Sequence, residues 1–255
     1  MLGLVEGATE FVPVSSTGHL ILVSNWLHLV DERTKTFDIF IQLGAILAVV
    51  WLYRRRLSQV AFSAARDPAS RAFLLNLGIA FLPAAVIGFL AHDWIKAHLF
   101  DPTVVSVALM VGGALILLIE RWAPPSRVHD VNQVPSGTAL GIGFAQVLSL
   151  VPGTSRSGAT IMGGYALGLS RVAATEFSFF LAIPVMLAAT SYDLLKSWST
   201  LSAADIPMFA VGFVVSFLSA LVVVRALLRY VSKHTFAAFA WYRIALGALL
   251  LLAGR

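Results

Sequence analysis

Two short stretches concentrate polar and ionisable residues in a chain that is otherwise strongly apolar. The first, EGATEFVPVSSTGH at positions 6–19, holds two acids, three consecutive hydroxyls and one imidazole. The second, PGTSRSGAT at positions 152–160, places one arginine among hydroxyls and glycines. Such side chains perform proton transfer, nucleophilic attack and anion binding in proteins. These two stretches are therefore the candidates for chemistry.

The two acids of the first stretch, Glu6 and Glu10, are four residues apart. On a helix this spacing puts both carboxylates on one face. Acids inside an apolar segment are costly, which makes them functional candidates by default. Paired carboxylates could bind a divalent cation, act as a general base or relay protons. The alternative is that this helix end is wet and both acids are solvated.

Three hydroxyls, Ser15, Ser16 and Thr17, stand just before a further apolar run. One of them would be enough to cap a helix. With His19 following, the group exceeds what capping requires. A serine beside an imidazole is the minimal activated nucleophile, and an imidazole can also attack phosphorus itself or protonate a leaving group. A hydrogen-bonded structural role for the histidine is the alternative.

In the second stretch, Arg156 precedes an apolar helix, the position at which backbone N–H groups and the helix dipole favour an anion. Its planar fork can bind two phosphate oxygens at once, and Thr154, Ser155 and Ser157 can donate further hydrogen bonds. The pattern predicts a phosphate-binding site. The alternative is an arginine neutralised by one of the two acids of the first stretch.

The composition predicts a polytopic membrane protein. Of 255 residues, 58% are hydrophobic and 12% are charged, whereas soluble domains carry about a quarter charged residues. Cysteine is absent, which excludes disulfides and thiolate metal sites. The net charge of +5 comes from basic residues at the ends of apolar runs, so no nucleic-acid partner is expected. Met1 lacks the basic start of a removable signal peptide, so the first segment is expected to stay.

Six stretches are apolar enough to cross a hydrocarbon core of about 30 Å as helices. Two further regions, 2–30 and 137–169, are apolar but interrupted at the two polar stretches. Irregular backbone at membrane depth is tolerated only where protein or water surrounds it, so each region is predicted to be a re-entrant helix hairpin. The six predicted spans are 37–53, 73–91, 104–119, 177–195, 207–228 and 236–253.

The distribution of basic residues agrees with this layout. With both hairpins returning to the side from which they start, eleven basic residues share one face and five share the other. By the positive-inside rule the richer face is cytoplasmic. The richer face holds Arg54, Arg55, Arg56, Arg66, Arg71, Arg121, Arg127, Arg171, Arg225, Arg229 and Lys233, and the poorer one Arg33, Lys35, Lys96, Lys196 and Arg255.

An internal repeat is also visible. The segment GGALILLIER at 112–121 matches LGALLLLAGR at 246–255, and VPVSS at 12–16 matches VPGTS at 151–155. A single membrane domain, 1–255, would then contain a first repeat at 1–122, a linker at 123–138 and a second repeat at 139–255. One hairpin plus three spans per repeat inverts the second repeat in the membrane. Chance similarity between two Leu/Ala/Gly-rich halves is the alternative.

Arg243 lies inside the last predicted span, and Glu176 stands at the start of the fourth. Charged residues at such positions either form structural pairs or border a substrate path. The sequence favours a structural role for both.

The two stretches, together with the hydropathy pattern of essentially the whole chain, resemble the bacterial undecaprenyl-diphosphate phosphatases of the bacitracin-resistance type. The resemblance implies an integral-membrane hydrolase that removes the terminal phosphate of undecaprenyl diphosphate and so recycles the lipid carrier of peptidoglycan synthesis. It implies a multi-pass protein of the bacterial inner membrane with inverted repeats and an active site facing the periplasm. It also implies contact with membrane lipids, frequent homodimers, and activation by a divalent cation, Mg²⁺ or Ca²⁺.

Carried over by motif position, the resemblance assigns the acid pair to Glu6 and Glu10, which are the expected metal ligands. Catalysis is expected from Ser16, His19, Glu10 and Arg156. The expected phosphate-binding residues are Arg156, Ser155, Ser157, Thr154, Ser15 and Thr17. Ser16 is the first choice of nucleophile, with His19 activating it or assisting the leaving group, and His19 as direct nucleophile stays open.

Two other functions would suit the same sequence. A lipid-phosphate flippase or transporter would also use an inverted repeat with a site near the membrane midplane. A proton-coupled ion carrier would use the acid pair but would have no need of Ser16 or Arg156. Phosphate release from a prenyl diphosphate separates the hydrolase from both.

Overall fold

The structure is a computed structural model that describes residues 1–29, 32–197 and 205–253. Within these ranges the chain forms eleven α helices and two short 3₁₀ helices, Val131–Gln133 and Leu148–Leu150, so the predicted all-α class is confirmed. The α helices are α1 (Leu2–Thr9), α2 (Ser16–Trp26), α3 (Glu32–Leu52), α4 (Arg54–Ser63), α5 (Pro68–His98), α6 (Pro102–Trp122), α7 (Ser136–Val147), α8 (Arg156–Ala166), α9 (Arg171–Ser197), α10 (Ile206–Val231) and α11 (Ala237–Ala253).

By length and composition, four of the described helices could each cross a membrane alone, so this is a multi-pass membrane protein. A fifth candidate span arises if α3 and α4 are taken together, although the chain bends by 72° between them. The predicted span 236–253 falls on α11, a helix of 17 residues. The four helices long and apolar enough to cross a membrane alone are Pro68–Ile95, Pro102–Trp122, Arg171–Asp193 and Ile206–Val231.

Residues 54–72, which join the first two predicted spans, were predicted to form a loop. This prediction is wrong for most of the segment, because α4 occupies its first part and α5 begins at Pro68. Asp67 caps α5 by accepting hydrogen bonds from the backbone N–H groups of Ala69 and Ser70. Hydrogen bonds from Ser70, with the hydroxyl as the largest cause, hold the pKa of Asp67 below its usual value. An acid followed by proline is a common start of a helix, and this signal was present in the sequence.

The short helices of each half pack against a long helix of the other half. Helix α1 lies on α10, and α7 lies on α5. Glycines permit the close approach: a methyl group at Gly3 would come within 2.4 Å of the Gly212 carbonyl oxygen, and one at Gly143 within 2.7 Å of the Ala80 carbonyl oxygen. Small residues at such contacts are typical of helix packing in membranes.

Helices α6 and α11 cross each other through a reciprocal pair of glycine contacts. A methyl group at Gly113 would lie 2.6 Å from the carbonyl oxygen of Ala240. One at Gly247 would lie 2.6 Å from the carbonyl oxygen of Ser106. The two helices therefore use matching surfaces on each other.

The core surrounds α9, whose Phe177, Phe179 and Phe180 are fully buried. Phe11, from the chain between α1 and α2, packs edge-on against Phe179 with ring centroids 5.4 Å apart. Helices α3 and α8 also contact α9. This helix is thus the scaffold against which both polar stretches are held.

Near the C-terminal end of α6, Glu120 contacts the start of α9 and the residue just before α11. Arg171 Nε donates to Glu120 Oε1 over 3.0 Å, and the Phe236 backbone N–H donates to the same oxygen over 2.7 Å. This ion pair belongs to the face predicted to be cytoplasmic. Of the basic residues predicted on the opposite face, Arg255 and the side chains of Arg33, Lys35, Lys96 and Lys196 lie outside the described residues.

Candidate active site

Both polar stretches interrupt a helix pair in the same way. The first break separates α1 from α2, and the second separates α7 and its 3₁₀ extension from α8. At the end of each break stands a serine with positive φ, Ser15 at 72° and Ser155 at 74°. Each serine caps the helix that follows, Ser15 Oγ accepting from Gly18 N–H and Ser155 Oγ from Gly158 N–H. Such backbone strain costs on the order of 1–3 kcal/mol and is concentrated at functional sites.

The two breaks lie against each other. Ser157 Oγ is within hydrogen-bond distance of two carbonyl oxygens of the first break, Glu10 O at 3.1 Å and Val12 O at 2.9 Å. Its own neighbour Ser155 Oγ is 3.1 Å away. The hydroxyls of Ser155 and Ser157 are therefore engaged in capping and in holding the breaks together.

Glu10 is the centre of the polar contacts between the breaks. Arg156 donates to Glu10 Oε1 from Nη2 over 3.1 Å and from Nε over 3.3 Å. Ser16 Oγ donates to the other carboxylate oxygen, Oε2. Both partners of the ion pair are nearly buried, with side-chain exposures of 11% for Arg156 and 9% for Glu10. One carboxylate thus holds the candidate nucleophile on one oxygen and the candidate anion-binding group on the other.

The guanidinium of Arg156 is fixed from three sides. Besides Glu10, it donates from Nη1 to the carbonyl oxygen of Ser178 on α9, over 3.2 Å. Its central carbon lies 5.8 Å from the ring centroid of Phe11, within cation–π range. Thr160 and Ser178 share a hydroxyl–hydroxyl hydrogen bond of 2.6 Å beside it. In this structure Arg156 is neutralised by Glu10, which is the arrangement that the alternative interpretation of the second stretch predicted.

Glu6 is fully buried, and neither carboxylate oxygen has a hydrogen-bond partner among the described residues. The interpretation of both acids as solvated is therefore wrong. An unpartnered buried acid is expensive unless it binds a proton or a cation. Mg²⁺ is commonly held by one or two carboxylates together with substrate phosphates. The acid pair fits a divalent cation of that kind, although no group of three or more His, Cys, Asp or Glu that could hold a metal ion occurs in the described ranges.

The imidazole of His19 contacts Tyr242 of α11, whereas the hydroxyl of Ser16 donates to Glu10. Its Nε2 is 2.6 Å from the Tyr242 hydroxyl, and its Nδ1 is 2.7 Å from the Ser15 carbonyl oxygen. The two rings stack with centroids 5.6 Å apart. Because a backbone carbonyl only accepts, Nδ1 carries a proton and Nε2 is left to interact with the phenol. Sequence reasoning did not find Tyr242, which lies far along the chain in an apolar segment.

The remaining predicted site residues lie at the margin of this cluster. Thr17 is half-buried in the first turn of α2. Thr154 faces a groove that it shares with Val151 and with residues of α6 such as Val104. Of the predicted phosphate-binding residues, all of which are described, Arg156 is the one that hydrogen-bonds to the side-chain carboxylate of Glu10.

Apolar membrane helices around a buried cluster of acid, hydroxyl and arginine define an integral-membrane protein with a site suited to phosphate chemistry. The family model described as bacitracin resistance protein BacA matches residues 1–249. The chain belongs to this family.

Relatives match along nearly the whole chain. Proteins named undecaprenyl-diphosphatase from Methylococcus capsulatus and Laribacter hongkongensis are 55% and 54% identical over 251 residues. Undecaprenyl-diphosphatase 2 from Rhodospirillum rubrum is 57% identical over 252 residues. Each alignment covers 98% of this chain and 92% of the relative.

Proposed function

We propose that this chain hydrolyses undecaprenyl diphosphate to undecaprenyl phosphate and inorganic phosphate. This activity recycles the lipid carrier of peptidoglycan synthesis and confers bacitracin resistance. The observation that carries the proposal is the simultaneous contact of Glu10 with Ser16 and with Arg156. Family membership and the names of the relatives support it.

Substrate binding begins at Arg156. The terminal phosphate of the substrate offers the same acceptor geometry as a carboxylate, so it can replace Glu10 as the partner of the guanidinium fork. The contact to the Ser178 carbonyl keeps the fork in place during this exchange. Glu10 is then released from Arg156 but keeps the hydrogen bond that Ser16 donates to its Oε2, so this oxygen is positioned to accept the Ser16 proton.

In the chemical step, Ser16 Oγ attacks the terminal phosphorus and its proton passes to Glu10. The bond from that phosphorus to the bridging oxygen breaks, and its electron pair leaves with undecaprenyl phosphate. Water then cleaves the Oγ–P bond, which releases inorganic phosphate and restores Ser16. Arg156 and the backbone N–H groups at the start of α8 stabilise the charge on the phosphoryl oxygens.

Glu6 and Glu10 are the proposed ligands of a divalent cation, Mg²⁺ or Ca²⁺. Such an ion supplies charge neutralisation at the phosphoryl oxygens. The buried, unpartnered carboxylate of Glu6 is the observation in favour of this assignment. His19, held by Tyr242, is proposed to assist departure of the lipid phosphate.

The finer architecture is part of the same proposal: six spans and two re-entrant hairpins, arranged as inverted repeats at 1–122 and 139–255 around the linker 123–138. Support comes from the matching strained serines, Ser15 and Ser155, and from the reciprocal glycine contacts of α6 and α11. The location would be the bacterial inner membrane, with the site open to the periplasm and the prenyl tail among membrane lipids. Homodimer formation belongs to this proposal as well.

The deciding experiment measures phosphate release by purified protein in detergent with farnesyl or undecaprenyl diphosphate and added Mg²⁺. We expect steady turnover by the native chain and, for Arg156→Ala, a kcat/KM lower on the order of 10³-fold. The matched control is Arg171→Gln, which removes an arginine–glutamate pair remote from the breaks and should retain turnover. Absence of phosphate release by the native chain, combined with lipid transfer across vesicles, would replace the hydrolase by the transporter.

A further inference from the structure

Arg243 is the largest of the fully buried side chains, with 1% of its surface exposed. It lies in the middle of α11, next to Tyr242. Among the described residues it makes four hydrogen bonds, all to backbone carbonyl oxygens. A buried guanidinium without a carboxylate partner is an expensive feature in an apolar environment. Its position therefore calls for a specific role.

The carbonyl groups that Arg243 binds come from both breaks. Nη1 donates to Pro13 O over 3.2 Å, and Nη2 donates to Gly153 O over 3.1 Å. Each of these residues stands two positions before the strained serine of its own break, Ser15 or Ser155. Arg243 thus holds the equivalent carbonyl group in each break.

The other two hydrogen bonds connect the side chain to α6. Nη2 also donates to Ala108 O, and Nε donates to Leu109 O, both over 3.3 Å. Because the guanidinium is planar and rigid, these four bonds fix the two breaks relative to each other and to α6. Lysine, with one nitrogen on a flexible stem, cannot reproduce this geometry.

Neighbouring glycines leave space for the guanidinium. A methyl group at Gly112 would lie 2.0 Å from Nη2, and one at Gly158 would lie 2.9 Å from Nη1. Gly158 is also the residue whose N–H Ser155 caps, two positions after Arg156. The guanidinium therefore reaches the first turn of the helix that carries the proposed phosphate-binding arginine.

We propose that Arg243 is a positioning residue that sets the distance between the two breaks and so aligns Ser16 with the phosphate held by Arg156. It acts through the backbone and does not contact the substrate. The expected effect of Arg243 on the rate of hydrolysis rests on the proposed hydrolase function. Its expected effect on the distance between the breaks does not.

The test measures the distance between the breaks and the kinetics in the same proteins. The chain has no cysteine, so spin labels can be placed at Ile21→Cys in α2 and at Leu148→Cys before the second break. We expect a narrow distance distribution in the native background and a broad one in Arg243→Gln. Since a misplacement of about 1 Å can cost about 100-fold in rate, kcat for farnesyl diphosphate should fall by about that factor with KM little changed.

Two comparisons make the test specific. Arg243→Lys keeps the charge but not the four contacts, so both the broad distribution and the low kcat should persist. Arg171→Gln, the matched control, should lower thermal stability and leave the distribution narrow. Should Arg243→Gln fail to fold, Gly112→Ala crowds Nη2 with the arginine in place and is expected to broaden the distribution.

Three results would overturn the proposal: a narrow distribution in Arg243→Gln, full recovery of kcat by Arg243→Lys, or equal broadening in Arg171→Gln. A native chain that releases no phosphate, but whose label distance depends on Arg243, would refute the hydrolase and leave the positioning role intact.

Discussion

The two breaks share one backbone design and differ in the side chains that it presents. In both, a serine with positive φ caps the next helix through the glycine three residues later. Aligned on these serines, the two breaks are 140 residues apart rather than the 139 of the VPVSS–VPGTS match, so Ser16 corresponds to Arg156, each being the first residue of its helix. Equivalent backbone positions thus carry the candidate nucleophile on one side and the candidate anion-binding group on the other.

A second difference concerns the buried polar residue of each preceding helix. Glu6 of α1 corresponds to Gln146 of α7, and both are buried without hydrogen-bond partners in the described part of the chain. Gln146 lines a cavity of about 390 Å³ between α5, α7 and α9. Of the two, only the acid can carry the negative charge that favours binding of a divalent cation, because the amide is neutral. In the proposed function, the first half would supply the base, the nucleophile and the metal ligands, and the second half would supply the anion site.

Removal of the Ser16 hydroxyl should have the largest effect. Ser16→Ala is expected to lower kcat on the order of 10⁶-fold, as loss of the nucleophilic serine does in a serine protease. Ser24→Ala is the control, because Ser24 is a buried serine of the same helix whose hydroxyl has no partner within the described residues. Phosphate-release kinetics check this, and a Ser16→Ala protein within tenfold of native would refute the nucleophile.

Arg156→Ala should lower kcat/KM on the order of 10³-fold, as expected for loss of an arginine that stabilises a transferring phosphoryl group. Arg156→Lys should recover only part of this, since a lysine cannot form the two parallel bonds of a guanidinium. The measurement is steady-state kinetics with farnesyl diphosphate. Equal activity of the lysine variant and the native chain would show that charge alone suffices at this position.

The substitution Glu6→Gln gives α1 the residue type that α7 has at the corresponding position, Gln146. We expect about a 100-fold loss of kcat, in the range of acid–base or metal-ligand losses, together with unchanged or higher thermal stability. The increase would follow because a buried, unpaired acid is replaced by a neutral isostere. The reverse change, Gln146→Glu, should lower stability without raising turnover. Retention of Mg²⁺-stimulated activity in Glu6→Gln would refute the metal assignment.

Tyr242→Phe should have a smaller effect. Loss of the hydrogen bond to His19 Nε2, worth about 1 kcal/mol, predicts about a fivefold lower kcat. A pH–rate profile is the relevant measurement, because only the limb that reports the imidazole should change. A profile identical to that of the native chain would mean that His19 acts without Tyr242, or does not act.

The smallest effect on turnover is expected at the crossing of α6 and α11. Gly113→Ala and Gly247→Ala each force a methyl group against a carbonyl group of the other helix. Overpacking of this kind costs about 1–3 kcal/mol. If the two halves are related by two-fold pseudosymmetry, thermal denaturation in detergent should show similar losses for both variants. A loss confined to one of them would contradict the reciprocal packing.

Much of the fold could be predicted from the sequence, because hydropathy and helix-breaking residues act locally. Pro13, with Pro152 and Gly153, marks the interrupted helices, and the all-α class follows from the length of the apolar runs. The helix α4 was missed, since three arginines at its start are typical of a cytoplasmic loop as well. The bend between α3 and α4 depends on packing against the rest of the fold, so a local sequence pattern does not predict it.

The site was predictable as a set of residues but not as a set of contacts. The residue types identified Glu10, Ser16 and Arg156, yet the partner of each hydroxyl depends on distances across the fold. His19 was predicted to activate Ser16 or to assist the leaving group, since the two residues are close in the sequence. In the structure the imidazole contacts the hydroxyl of Tyr242, 223 positions away in the chain. Arg243 had no motif around it, and its contacts with both breaks are visible only in three dimensions.

The most direct test of the account is to trap the phosphoenzyme. The native chain is mixed with prenyl diphosphate labelled in its terminal phosphate, quenched within the first turnover, digested and sequenced by mass spectrometry. Label is expected on Ser16 in the native chain, and none is expected in Arg156→Ala quenched at the same time. Label on His19 or on another residue would contradict this expectation, as would turnover without any labelled intermediate.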